Sequence, residues 1–135
     1  MIENFNGPFN LILFILVIGL QGFYSFRLVF SPSGIVKEFN TGEDSIYLAR
    51  VLGIFVVPLF LMGLIILFGG PEGTWVYFVL LFMIGLLQMV YETAFHFKLV
   101  DKNISAKNSK FDIVVSIFFV IAAIILISGL SDKIY

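Results

Sequence analysis

Four long apolar runs, each of about twenty residues or more, take up most of this chain. They extend from about Phe9 to Phe30, Ile46 to Phe68, Thr74 to Leu99 and Phe111 to Leu130. At about 1.5 Å of rise per helical residue, about twenty residues cross the hydrocarbon core of a bilayer. Backbone N–H and C=O groups find no water there, so an open-ended segment must pair them internally, as an α-helix does. The expectation is an all-α membrane protein: an antiparallel four-transmembrane-helix bundle, helices about 9–30, 46–68, 74–99 and 111–130, forming one domain over residues 1–135.

Composition agrees. The chain is 60% hydrophobic and 13% charged, with a mean hydropathy of +1.08. A soluble domain carries roughly a quarter of its residues charged. Local breakers mark the ends of the runs. Pro8 opens the first and Ser31-Pro32 closes it; Asp44 or Ser45 caps the second and Gly69-Gly70-Pro71 stops it. The N-terminus has no basic stretch and carries Glu3, so the first run is expected to stay as a helix and not to be cleaved as a signal peptide. Residues 31–45 read as a mixed-charge loop and 100–110 as a Lys-rich loop. Residues 69–73 are so short that the second and third helices are expected to form a tight hairpin.

Lys and Arg set the orientation. Arg27, Lys37, Arg50, Lys98, Lys102, Lys107 and Lys110 fall at the first and third connections, and only Lys133 falls at the other side. This asymmetry puts residues 31–45 and 100–110 in the cytoplasm and both termini on the outer, periplasmic side. Trp75 and Tyr77, at the outer end of the third helix, suit an interfacial position.

Several chemistries are excluded or disfavoured. With no Cys, disulfides, thiolate metal sites and cysteine nucleophiles are ruled out; one His, His96, rules out a multi-histidine metal site within the chain. A net charge of -1 offers no footprint for nucleic acid. No cofactor, metal or catalytic constellation is expected. Haem would have to use His96 and a methionine such as Met89, which faces elsewhere on the helix.

Intramembrane ionisable residues are costly and mark function by default. On the third helix Gly85, Gln88, Glu92 and His96 recur at spacings of three or four, which places them on one face. With Lys98 at the interface, Glu92 lies about 9 Å inside it. Gln21, Tyr24 and Arg27 on the first helix, Tyr47 and Arg50 on the second, and Asp112 and Ser116 on the fourth fall at similar depth. Glu92 is too short to reach the interface, so the expectation is an ion pair with the guanidinium of Arg27 or Arg50 in the bundle interior. The plainer readings are that the arginines reach out to headgroups, Gln88 joins helices, His96 is solvated or bonded to a loop, and Asp112 caps or begins the fourth helix. Ala49-x-x-x-Gly53, with Gly19, Gly22 and Ser25, suggests close helix approach, and Pro58 is expected to kink the second helix.

The run Tyr24-x-x-x-Leu28-Val29-Phe30-x-Pro32, followed by Ala49-Arg50-Val51-Leu52-Gly53, resembles a group of small bacterial four-helix membrane proteins of unknown function. The resemblance implies the four-helix topology and no activity; the expected location is a bacterial inner membrane. The functional expectation is a non-catalytic accessory, assembly or oligomeric component of a membrane complex, with lipid, other subunits or further copies as partners. The alternative is a small transporter or hydrophobic-ligand-binding bundle, proton-linked through Glu92. A third reading is an intramembrane enzyme using Glu92 and His96 as an acid/base pair on a lipid-like substrate. The polar cluster to test is Arg27, Arg50, Gln88, Glu92 and His96, with Gln21, Tyr24, Tyr47 and Asp112 secondary.

Overall fold

The structure, a computed structural model, describes residues 1–135 and is all-helical, without strands. A 3-10 turn at Glu3–Phe5 precedes helices α1 (Pro8–Phe30), α2 (Pro32–Glu38), α3 (Ser45–Gly69), α4 (Trp75–His96), α5 (Lys110–Gly129) and α6 (Ser131–Ile134). Helices α1, α3, α4 and α5 are long and apolar enough to cross a membrane. Their ends fall within three residues of those expected. The largest difference is at α4, which stops at His96, not Leu99. There Lys98 adopts a left-handed φ of 53°, and the N–H groups of Lys98 and Leu99 donate to the carbonyls of Phe95 and Ala94 at 3.0 and 2.8 Å. This paired Schellman closure ends the helix and satisfies its last carbonyls. The opposite case opens α5. Ser109 is the N-cap and Asp112 the third helical residue, each bonding the other's backbone N–H in a capping box.

The first connection is not a plain loop. Pro32 does close α1, but it also opens α2 as its first residue, where a missing N–H costs nothing. Pro58 sits inside α3, and the helix continues through it from Ser45 to Gly69.

The spans pack as two pairs, α4 with α5 and α1 with α3, joined through α1 and α5. Small residues set both contacts. A Cβ on Gly53 would lie 2.8 Å from Val29 Cγ2 on α1, and a Cβ on Gly85 would lie 3.2 Å from Phe119 Cβ and 3.3 Å from the Val120 backbone N on α5. Apolar surface does not by itself drive helices together in lipid, so such close fits carry the association. The expected tight hairpin of the second and third spans is absent. Gly69 to Thr74 does make a short turn, with Gly70 at φ 105°, but beyond it the α3 and α4 backbones stay mostly apart, with Tyr77 reaching across to Gly63. The turn fixes where the two helices meet and not their divergence.

At the turn end the core is tight. Phe5, Phe14, Phe78, Leu126, Leu130 and Ile134 are fully buried, and the Phe14 ring lies 5.1 Å from Phe5 and 5.6 Å from Phe78. Asn6 and Asn10 both donate to the Gly129 carbonyl, and the Gly73 N–H donates to Lys133 O, tying the N-terminus, the α3–α4 turn and α6 together. The outward faces are apolar: Phe9, Phe23, Phe26, Phe30, Phe55 and Phe68 are all exposed beyond the bundle. Soluble monomers rarely expose apolar patches above a few hundred Å², so this belt suits lipid.

One buried polar group stands alone. Ser25 Oγ, on α1, has no hydrogen-bond partner. Ser25→Ala is therefore expected to leave stability unchanged or raise it by about 1 kcal/mol, because an unsatisfied group is removed. Denaturation in mild detergent checks this; a clear loss of stability would show that the hydroxyl is bonded in the membrane.

Candidate functional site

Where the two helix pairs diverge they enclose a cavity of about 400 Å³, and eleven of its fifteen lining residues are hydrophobic. Leu28 of α1, Leu52 and Val56 of α3, Leu81 and Ile84 of α4 and Phe119 of α5 supply much of the apolar wall. Ile35 and Phe39, on and just after α2, close it at the end where the 31–45 and 100–110 connections lie. Its polar lining is sparse and sits on two helices: Gln21 and Tyr24 of α1, and Gln88 and Glu92 of α4, with Tyr77 at the inner end. The spacing of three or four that placed Gly85, Gln88 and Glu92 on one face is what brings them to one wall. Gly85 at the base of that wall lets α5 approach closely.

At the inner end Tyr77 is buried and donates to Gln21 Oε1 at 3.0 Å. This corrects the interfacial expectation for Tyr77. Its ring packs edge-on against Phe14 and Phe78, and α3 meets its hydroxyl at Gly63. Trp75 keeps the exposed position and stacks on Tyr135.

At the other end Glu92 meets an amide, not a guanidinium. Asn108 Nδ2 donates to Glu92 Oε2 at 2.6 Å and to the Glu92 backbone carbonyl at 2.9 Å. Asn108 Oδ1 lies 3.2 Å from His96 Nδ1. One loop side chain thus holds both Glu92 and His96 in the last two turns of α4. The expected pairing of Glu92 with Arg27 or Arg50 is not formed. Arg27 is bound to Glu38, the only ion pair in the structure, and lies 5.5 Å from the Phe23 ring centre. Helix α2 is the reason: the chain turns back at Pro32 and returns Glu38 to Arg27. Arg50 and Tyr47 both sit on the exposed face of α3, away from the cavity lining, in keeping with headgroup contact. Asp112 is buried and committed to the α5 cap, with Ser109 N–H and Oγ donating to its Oδ2 at 2.7 and 2.8 Å.

The structure therefore brings Gln21, Tyr24, Gln88 and Glu92 to one cavity, holds His96 beside it through Asn108, and leaves Arg27, Arg50, Tyr47 and Asp112 with other partners or surfaces. Asn108 was not singled out in sequence; its only signal is its place before the Ser109 cap. The two loops over this end are also joined. Lys107 N–H donates to Phe39 O at 2.8 Å, and Asn40 Nδ2 donates to Ser105 O at 2.9 Å. Chemically the arrangement is an apolar chamber with an acid, two amides and two phenols. No group of three or more His, Cys, Asp or Glu side chains is placed to hold a metal ion.

No protein-family model, curated protein or solved structure matches the chain.

Proposed function

We propose that this integral membrane protein binds a hydrophobic small molecule in the chamber between its two helix pairs. The observation that carries the reading is the chamber itself: about 400 Å³, mostly apolar, with a few convergent polar groups. Ligand sites are typically of about 300–1,000 Å³ and have this character. The scarcity of contact between α3 and α4 supports a way in from the lipid. The topology that goes with this reading is an antiparallel four-span bundle with both termini on the outer side. The placement of seven of the eight Lys and Arg residues at the other end favours it, and the reading takes the membrane to be a bacterial inner one. Gln21, Gln88 and Glu92 would orient the ligand, and no step of bond making is assigned. Nothing in the geometry favours an enzyme: the only second acid near Glu92 is Asp112, which the cap engages.

The test uses a neutral photoreactive probe, a decanol carrying an alkyl diazirine, with the protein in phosphatidylcholine nanodiscs. Adducts are expected on Val56, Leu81 and Phe119, which line the chamber and are not exposed outside it. They should fall at least severalfold in Val56→Trp, which fills the chamber, while labelling of the lipid-facing Phe55 persists. Adducts confined to lipid-facing residues would refute the reading.

A further inference from the structure

Resting on that reading and narrowing its ligand, we infer that the chamber selects an amphiphile with a cationic amine head, whose ammonium meets Glu92. The charges around the site call for it. The ion-pairing cation on this side, Arg27, is already bound to Glu38, and Arg50 faces out from α3. No Lys, Arg or His nitrogen forms an ion pair with Glu92; its one side-chain partner is the neutral amide of Asn108. His96 faces the Asn108 oxygen and not the carboxylate. An acid on the wall of an apolar chamber is stabilised by an opposite charge, and here the chain supplies none. A ligand with an ammonium group brings the missing charge, and its chain fills the space lined by Leu52, Val56 and Ile84. Asn108 holds the carboxylate in place for that contact, and Gln88, one turn deeper on α4, offers a second acceptor to the same head group.

The experiment compares decylamine with decanol, which share an apolar chain and differ in head charge at pH 7. Each is titrated as a competitor of the diazirine probe in phosphatidylcholine nanodiscs, with empty nanodiscs correcting for partition into lipid. Decylamine is expected to bind about tenfold or more tightly than decanol, in line with a charge-assisted hydrogen bond in a sparsely hydrated site. Glu92→Gln should erase that preference, and a helical circular-dichroism spectrum and elution profile matching the wild type report that the variant is folded. Gln88→Lys supplies a cation from the protein and should erase the preference too, so the test survives if Glu92→Gln does not fold. Equal affinities for the two compounds in the wild type, or a preference that persists in Glu92→Gln, would overturn the amine assignment and leave the apolar chamber standing. Failure of both compounds to compete would overturn the chamber as a ligand site as well.

Discussion

Asn108→Ala is expected to destabilise the protein by about 2–3 kcal/mol. The amide makes two bonds to Glu92, one of them to the carboxylate at 2.6 Å, and a third contact to His96. Hydrogen bonds to charged groups contribute about 1.5–3 kcal/mol, and leaving the charged partner half-buried without a donor costs a similar amount. Loss of the amide also frees the 97–109 loop from α4, so the damage should be local to the end that carries α2. Asn108→Asp is expected to be at least as harmful, because it sets a second carboxylate against Glu92. Reversible SDS unfolding followed by circular dichroism measures both. Amide exchange should rise in the last two turns of α4 and stay unchanged around Phe14 and Phe78. Changes within about 0.5 kcal/mol for both variants would mean that water or lipid headgroups satisfy Glu92 as well as Asn108 does.

Gly85→Leu is the second large effect. A Cβ at this position already falls 3.2 Å from Phe119 Cβ and 3.3 Å from a backbone nitrogen, and backbone cannot rotate aside. A leucine must push α4 and α5 apart along the most extensive helix contact in the molecule. Overpacking a close-fitted interior costs typically 1–3 kcal/mol, and the upper part of that range or more is expected here. Gly19→Ala is the control: its Cβ would meet nothing within 4 Å, and alanine favours helix, so stability should hold or rise. The same unfolding assay reads both. A tolerated leucine at 85 would mean that α4 and α5 are not in register as described.

The four spans were legible because lipid leaves a helix as the sole open-ended answer to backbone pairing, and the breakers at Pro8, Gly70 and Pro71 are local. The face shared by Gly85, Gln88 and Glu92 was legible for the same reason, since helical period is local. The close approach at Ala49 and Gly53 was suggested by residue size alone, and the structure puts Val29 and Leu28 against Gly53. What was not legible depends on how segments distant in sequence meet. The turn at 69–73 implied a packed hairpin, but a turn constrains two ends and says nothing of the angle between 20-residue rods. Arg27 was expected to seek Glu92, and the short α2 delivered Glu38 first. Asn108 looked like any residue of a polar loop, because hydrogen-bonding capacity in sequence does not say which carboxylate a loop will reach. Tyr77 was placed at the interface from its position near a helix start, and its hydroxyl instead found Gln21 inside.

The central claim is that α4 sits against α5 and stands away from α3, leaving the chamber. The absence of Cys makes paired-cysteine cross-linking clean. Oxidation of the double variant Gly85→Cys/Phe119→Cys should give an intrachain disulfide rapidly, since the two Cβ positions, 3.2 Å apart before α4 and α5 ease apart by a few tenths of an ångström, then lie at the separation a disulfide spans. Leu52→Cys/Ile84→Cys, on walls of the chamber contributed by α3 and α4, should remain reduced under the same conditions. Cross-linking of 52 with 84 at the rate of 85 with 119 would show that α3 and α4 pack together and that no chamber lies between them.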